Sequence, residues 1–265
     1  MSYRCNFRFN FRVRGCPTLP VVLFLHGFLG SCEEFSAIDA SLCDRFCCLS
    51  IDLPGHGETQ VVGDYTLSST ARAIVHLLDR LNIHQAILVG YSLGGRLALY
   101  LALHFADRFP KTILESASPG LQTEAARSTR RQHDDQLATY IESDFPTFLI
   151  DWYNQPLFRS LRQHPTFGAI YQQRLKNRPI ELAKSLRNLS IGRQPNLWGK
   201  LASYEPPLLL LVGENDRKFV AINQEIAARC RSAQLEILVN TGHNLHVENP
   251  SAFTMHIKDF LFSTQ

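Results

Sequence analysis

Apolar residues follow two different patterns along the chain. At the start they alternate. Tyr3, Cys5, Phe7, Phe9, Phe11 and Val13 share one parity; Arg4, Asn6, Arg8, Asn10, Arg12 and Arg14 share the other. A period of two predicts a strand, half buried and half wet, lying antiparallel at a sheet edge. After it the apolar runs become short and continuous: "VVLFL", "FCCLSIDL", "AILVG", "KTILES", "PLLLLVG" and "QLEILV". Helical stretches separate them. Over Ala71–Leu81, for example, Ile74, Leu77, Leu78 and Leu81 fall on one stripe. Continuous apolar strands alternating with helices predict an α/β fold, with a mostly parallel central sheet covered by helices on both faces.

The rhythm stops over residues 119–200, a polar, arginine-rich stretch with helical spacing in "FPTFLIDWY" and "IELAKSLRNL". It predicts a helical cap inserted into a core made of residues 1–118 and 201–265. A chain of 265 residues is long enough for one sizeable domain of that kind. Ligands of doubly wound sheets bind beyond the carboxyl ends of the strands, so the insertion is expected to cover the site.

Charge adds a location to this picture. The formal net charge is only +3, which gives no reason to expect nucleic acid as a partner. Pro119 to Lys200, however, holds twelve Lys and Arg against seven Asp and Glu, so this one segment carries the basic surplus. Most such arginines belong to a solvated helical surface; a few facing an anionic ligand is the sharper reading. No apolar run approaches the roughly 20 residues of a membrane span. The N-terminal "MSYRCNFRFNFRVRG" lacks the apolar core of a signal peptide. Seven cysteines without metal-type spacing fit reduced thiols in a cytoplasmic protein. Cys43, Cys47 and Cys48 cluster without a second ligand group nearby, so no metal and no cofactor is expected.

The chemistry concentrates at strand ends. Gly90-Tyr91-Ser92-Leu93-Gly94 matches G-x-S-x-G between a strand and a helix, where small flanking residues let a tight turn lift the serine hydroxyl. "VGENDRKF" puts Asp216 after a late strand, and "NTGHNLHVENP" puts His243 after the last one. The order Ser, Asp, His at successive strand ends is that of a catalytic triad on this kind of sheet. Asp216 could instead simply cap the following helix, a common use of Asp. His246 is the rival histidine but sits deeper in its segment. The early "HGF" loop completes the set: the N–H groups of Phe28 and Leu93 are the expected oxyanion hole, and His26 is expected to brace that loop.

These motifs make the chain resemble the α/β-hydrolases over nearly its whole length. More narrowly, "HGFLGSCEEF", "GYSLGGRLALYLAL", "ESASPGLQ", "FLIDWYNQPLF", "QPNLW" and "GENDRKF" are similar to the 2-succinyl-6-hydroxy-2,4-cyclohexadiene-1-carboxylate synthase (MenH) family of menaquinone and phylloquinone biosynthesis. The resemblance implies a lyase that needs no acyl-enzyme: Ser92, activated by His243 and Asp216, acts as base and pyruvate leaves a small polycarboxylate substrate. It also implies substrate contacts from Arg96, Arg130, Arg174, Tyr91 and Trp152, with Arg131 and Arg178 close enough to compete for the two cap positions. Trp152 read by itself is equally a packing residue. The alternative is a serine hydrolase, a thioesterase, carboxylesterase or C–C hydrolase acting covalently through Ser92. A non-catalytic binder would be expected to have lost a triad member.

Overall fold

The computed structural model describes residues 7–263. Its strands are β1 (Phe7–Arg8), β2 (Phe11–Arg14), β3 (Val21–Leu25), β4 (Cys47–Ile51), β5 (Gln60–Val61), β6 (Ala86–Tyr91), β7 (Thr112–Glu115), β8 (Leu208–Gly213) and β9 (Ala233–Leu238). Among the described residues the main sheet has the order β2-β4-β3-β6-β7-β8-β9, and every pair but β2–β4 is parallel. Each predicted apolar run is one of its strands. The wholly buried stretches of β4 and β8 show why those runs do not alternate: both of their faces are covered.

Helices α1 (Ser36–Leu42), α2 (Leu67–Arg80) and α3 (Leu93–His104) cross between early strands. Next come α4 (Glu124–Ser143), α5 (Phe145–Asn154), α6 (Arg159–Gln163), α7 (Phe167–Arg174) and α8 (Pro179–Asn188), all between β7 and β8. The chain then closes with α9 (Arg217–Arg229), α10 (Leu245–Glu248) and α11 (Pro250–Phe262). Successive strand residues feed opposite cores. Leu23, Leu25 and Leu88 pack with α2 and α3, whereas Val22, Phe24 and Val89 pack with α1 and α11. A third cluster joins Ile141, Phe148, Leu149 and Leu186 of α4, α5 and α8 to Leu29 of the loop after β3. Helix α2 begins at Leu67, a turn before the expected Ala71, because Thr66 and Ser69 form a reciprocal cap: Thr66 Oγ1 accepts from Ser69 N at 3.1 Å, and Ser69 Oγ accepts from Thr66 N at 2.8 Å.

The N-terminal strand departs from its pattern. β2 does run antiparallel at the sheet edge, but Phe11 and Val13 are 37% and 47% exposed. The inward parity belongs to Arg12 and Arg14, which both bind the buried carboxylate of Asp39 on α1, Arg14 at 2.8 Å. A buried acid with two guanidinium partners decides which face turns in. The alternation also breaks, because β1 pairs with β5 in a separate two-stranded sheet. Residues 3–6 of the expected strand lie outside the described residues.

Candidate active site

Between β6 and α3 the backbone makes the turn that the motif demands. Ser92 has φ +50° and ψ −105°, a conformation L-residues rarely adopt. It is tolerated because the flanks are bare. A Cβ on Gly94 would lie 2.0 Å from Leu25 O, and one on Gly90 2.6 Å from Gly94 O. Helix α3 thus starts hard against the end of β3, and Ser92 stands at its head.

Three elements converge on that hydroxyl. Ser92 Oγ–H donates to His243 Nε2 at 3.1 Å, and His243 Nδ1–H donates to Asp216 Oδ2 at 2.6 Å. Asp216 also caps α9, its Oδ1 accepting from Phe219 N at 3.3 Å. The histidine contact and the helix cap therefore use different oxygens of this aspartate. The imidazole is packed by the rings of Phe219, Tyr91 and Phe158, at centroid separations of 4.7, 5.4 and 6.0 Å.

Two other histidines hold the loop after β3. His26 Nε2 accepts from Leu53 N at 2.9 Å, and His56 Nε2 accepts from Leu29 N at 3.1 Å. Burial lowers both pKa values, which suits rings that accept at Nε2. His246 is engaged elsewhere: its Nδ1 faces Glu115 Oε2 at 2.7 Å and its Nε2 faces Glu34 Oε1 at 3.4 Å. Its ring does stack edge-on against Tyr91, at 5.1 Å.

Ser92 and His243 open on a cavity of about 240 Å³, which Phe28, Leu93, Arg96, Arg130, Arg174, Tyr91 and Trp152 also line. Arg131 and Arg178 are not among its lining residues; they bind Gly192 O and Gly57 O instead. Tyr91 is buried, and burial raises its phenol pKa well above the ordinary value. Trp152 packs on Phe28, Phe148 and Phe158, so it both lines the cavity and builds its wall.

The three arginines differ in their partners. Arg96 Nη1 donates to Gln194 Oε1 at 2.9 Å and Nη2 to Leu189 O at 2.8 Å. Burial and the neighbouring Arg130 charge push its pKa down to about 9. Arg130 Nε donates to Asp134 Oδ1 at 2.7 Å. Arg174 is buried, and its Nη2 meets both oxygens of Glu34 at 2.7 and 2.6 Å. Burial opposes the charge on each of that pair, but their attraction prevails: Glu34 is held well below the usual carboxylate range and Arg174 above its ordinary value. Sequence reasoning missed Glu34 and Gln194, although both lie in motifs quoted above. It also missed Ser116 and Asn244, which line the cavity. Ser116 Oγ and Asn244 Oδ1 have no hydrogen-bond partner among the described residues.

Comparison with known proteins agrees with this architecture. Residues 20–250 match the alpha/beta hydrolase fold family. A 2-succinyl-6-hydroxy-2,4-cyclohexadiene-1-carboxylate synthase of Salmonella heidelberg (strain SL476) is 38% identical over 242 residues, covering 89% of this chain and 92% of that protein. The chloroplastic protein PHYLLO of Arabidopsis thaliana is 35% identical over 260 residues, which span 91% of this chain but 15% of that much longer one. The solved structure of MenH from S. aureus superposes with a TM-score of 0.89 at 35% identity, covering 96% of this chain and 97% of that one. The chain belongs to the α/β-hydrolase fold family and, within it, to the 2-succinyl-6-hydroxy-2,4-cyclohexadiene-1-carboxylate synthases.

Proposed function

We propose that Ser92, His243 and Asp216 carry the lyase reaction of this family on 2-succinyl-5-enolpyruvyl-6-hydroxy-3-cyclohexene-1-carboxylate. Ser92 Oγ removes a carbon-bound proton while its own hydroxyl proton moves to His243 Nε2. The C–H electrons form the new ring double bond, the existing one shifts, and the C–O bond to the enolpyruvyl group breaks. The departing enolate takes up a proton and becomes pyruvate, leaving the 2,4-cyclohexadiene. Asp216 fixes the histidine tautomer and stabilises the imidazolium that forms. The amides of Phe28 and Leu93 stabilise negative charge on a substrate oxygen, the latter because the first N–H groups of α3 have no partner within the helix.

The observation that carries this reading is the shared cavity: the hydrogen-bonded Ser92–His243–Asp216 line opens on the same space as Arg96, which donates to the neutral oxygens of Gln194 and Leu189. A fixed cation beside the base suits a substrate bearing carboxylates. Residues 119–200 act as the lid of that site, supplying Arg130, Arg174 and Trp152.

The test is to supply the enolpyruvyl-cyclohexene substrate and follow pyruvate release with diene absorbance. Rapid turnover of acyl esters with no pyruvate would overturn the lyase reading in favour of a hydrolase. An acyl-serine trapped with the natural substrate would overturn the role of Ser92 as base.

A further inference from the structure

Arg96 and Arg174 line one cavity, yet the structure balances their charges differently. Arg174 faces a carboxylate, Glu34. Arg96 is held by an amide oxygen and a backbone carbonyl, which satisfy N–H groups without cancelling the charge. The acid nearest to it electrostatically, Asp134, is occupied by Arg130 Nε at 2.7 Å and by Ser190 Oγ at 2.6 Å.

Gln194 is 1% exposed, and its amide orientation is specified from both ends. Its Oε1 accepts from Arg96, and its Nε2 donates to Ser118 O at 3.4 Å. A flipped amide would set N–H against N–H and carbonyl against carbonyl. A buried carboxylate in the same place would satisfy Arg96 equally well geometrically, and would neutralise it. We propose that Gln194 is a specificity-determining residue: its neutral amide holds the Arg96 guanidinium without cancelling its charge and leaves that charge for a carboxylate of the bound ligand. The inference rests on the proposed function only for the identity of the natural ligand.

Binding of a probe that cannot undergo the elimination tests it. By titration calorimetry, 4-oxo-4-phenylbutanoate, a ring-borne succinyl carboxylate, is compared with its neutral primary amide on wild type, Gln194→Glu and Gln194→Ala. Hydrogen bonds to charged groups are worth about 1.5–3 kcal/mol, so neutralising Arg96 should weaken acid binding by about tenfold or more. The neutral amide probe should change by less than about threefold, within the spread of an uncharged contact. Gln194→Ala removes the bond but adds no charge, and should keep most of the preference for the acid; it also answers for a Gln194→Glu protein that fails to fold. Three results would overturn the proposal: unchanged acid binding in Gln194→Glu, an equal loss in Gln194→Ala, or no preference for the acid in wild type. Pyruvate release by the wild type is scored separately. If it is present while the probes fail, the role of Gln194 falls and the lyase stands; if it is absent while the probes succeed, the lyase falls alone.

Discussion

Nδ1 of His246 lies 2.7 Å from Oε2 of Glu115, and both side chains are buried. On the other side of the ring Nε2 faces Glu34, so the doubly protonated imidazolium is the form that donates to both acids. Burial opposes that charge, but Glu115 and Glu34 outweigh it and hold the pKa up at about 9, against an ordinary 6.5. Because the folded value is the higher one, the stabilisation is complete below about 6.5 and is lost as pH rises through about 9. The melting temperature of the wild type should fall across that window more steeply than that of His246→Gln. Parallel profiles would refute the charged state.

The triad should separate from the helix cap. Asp216→Asn keeps an oxygen for Phe219 N but disturbs the histidine tautomer. Pyruvate release should drop by about 10³–10⁴-fold with little change in melting temperature. Ser92→Ala should lower kcat by about 10²–10⁴-fold and leave KM nearly unmoved. A loss confined to KM in either variant would argue against proton transfer at Ser92.

Arg174→Ala and Arg96→Ala should fail in different ways. Removing Arg174 leaves the buried Glu34 carboxylate with only the longer contact from His246 Nε2, at 3.4 Å, and a broken buried pair costs about 3–5 kcal/mol of stability, readable by denaturant unfolding. Removing Arg96 leaves only neutral groups behind, so its main effect should be on kcat/KM, lowered by about 10–100-fold. Equal destabilisation by the two would show that Arg96 is a structural cation.

Gly94→Ala places a Cβ 2.0 Å from a backbone oxygen of β3, which no side-chain rotation relieves. The variant should lose about 3 kcal/mol or more of stability, with activity falling alongside. Near-native melting would mean that α3 can shift away from Leu25.

Much of the fold was legible because strand burial writes itself into composition: β4 and β8 are apolar throughout since both of their faces are covered. The edge strand's place and direction were legible too, but its facing was not, because alternation reports a period and cannot say which parity turns inward. Asp39 decides that, from a helix later in the chain. The hydrogen-bonded line of Ser92, His243 and Asp216 was legible since each member sits at a strand end that the motif order picks out. Glu34 and Gln194 were not, because their meaning lies in partners far along the chain, Arg174 and Arg96. Arg130 and Arg131 differ by one residue, hence by about 100° around a helix, and only packing shows which faces the cavity.

The turn at Ser92 is neutral about chemistry. A lifted hydroxyl, an imidazole and a carboxylate can relay a proton taken from a carbon as readily as one given up to attack a carbonyl. On the proposed reading what distinguishes the two is the set of guanidinium charges, Arg130 and Arg174 from the helices between β7 and β8 and Arg96 from α3, gripped by the segment from Leu189 to Gln194. Floor and ceiling of this chamber are thus nearly separable inheritances: a lineage could exchange one reaction for another by rewriting Arg96 and the helices between β7 and β8, with the sheet and its proton relay left untouched.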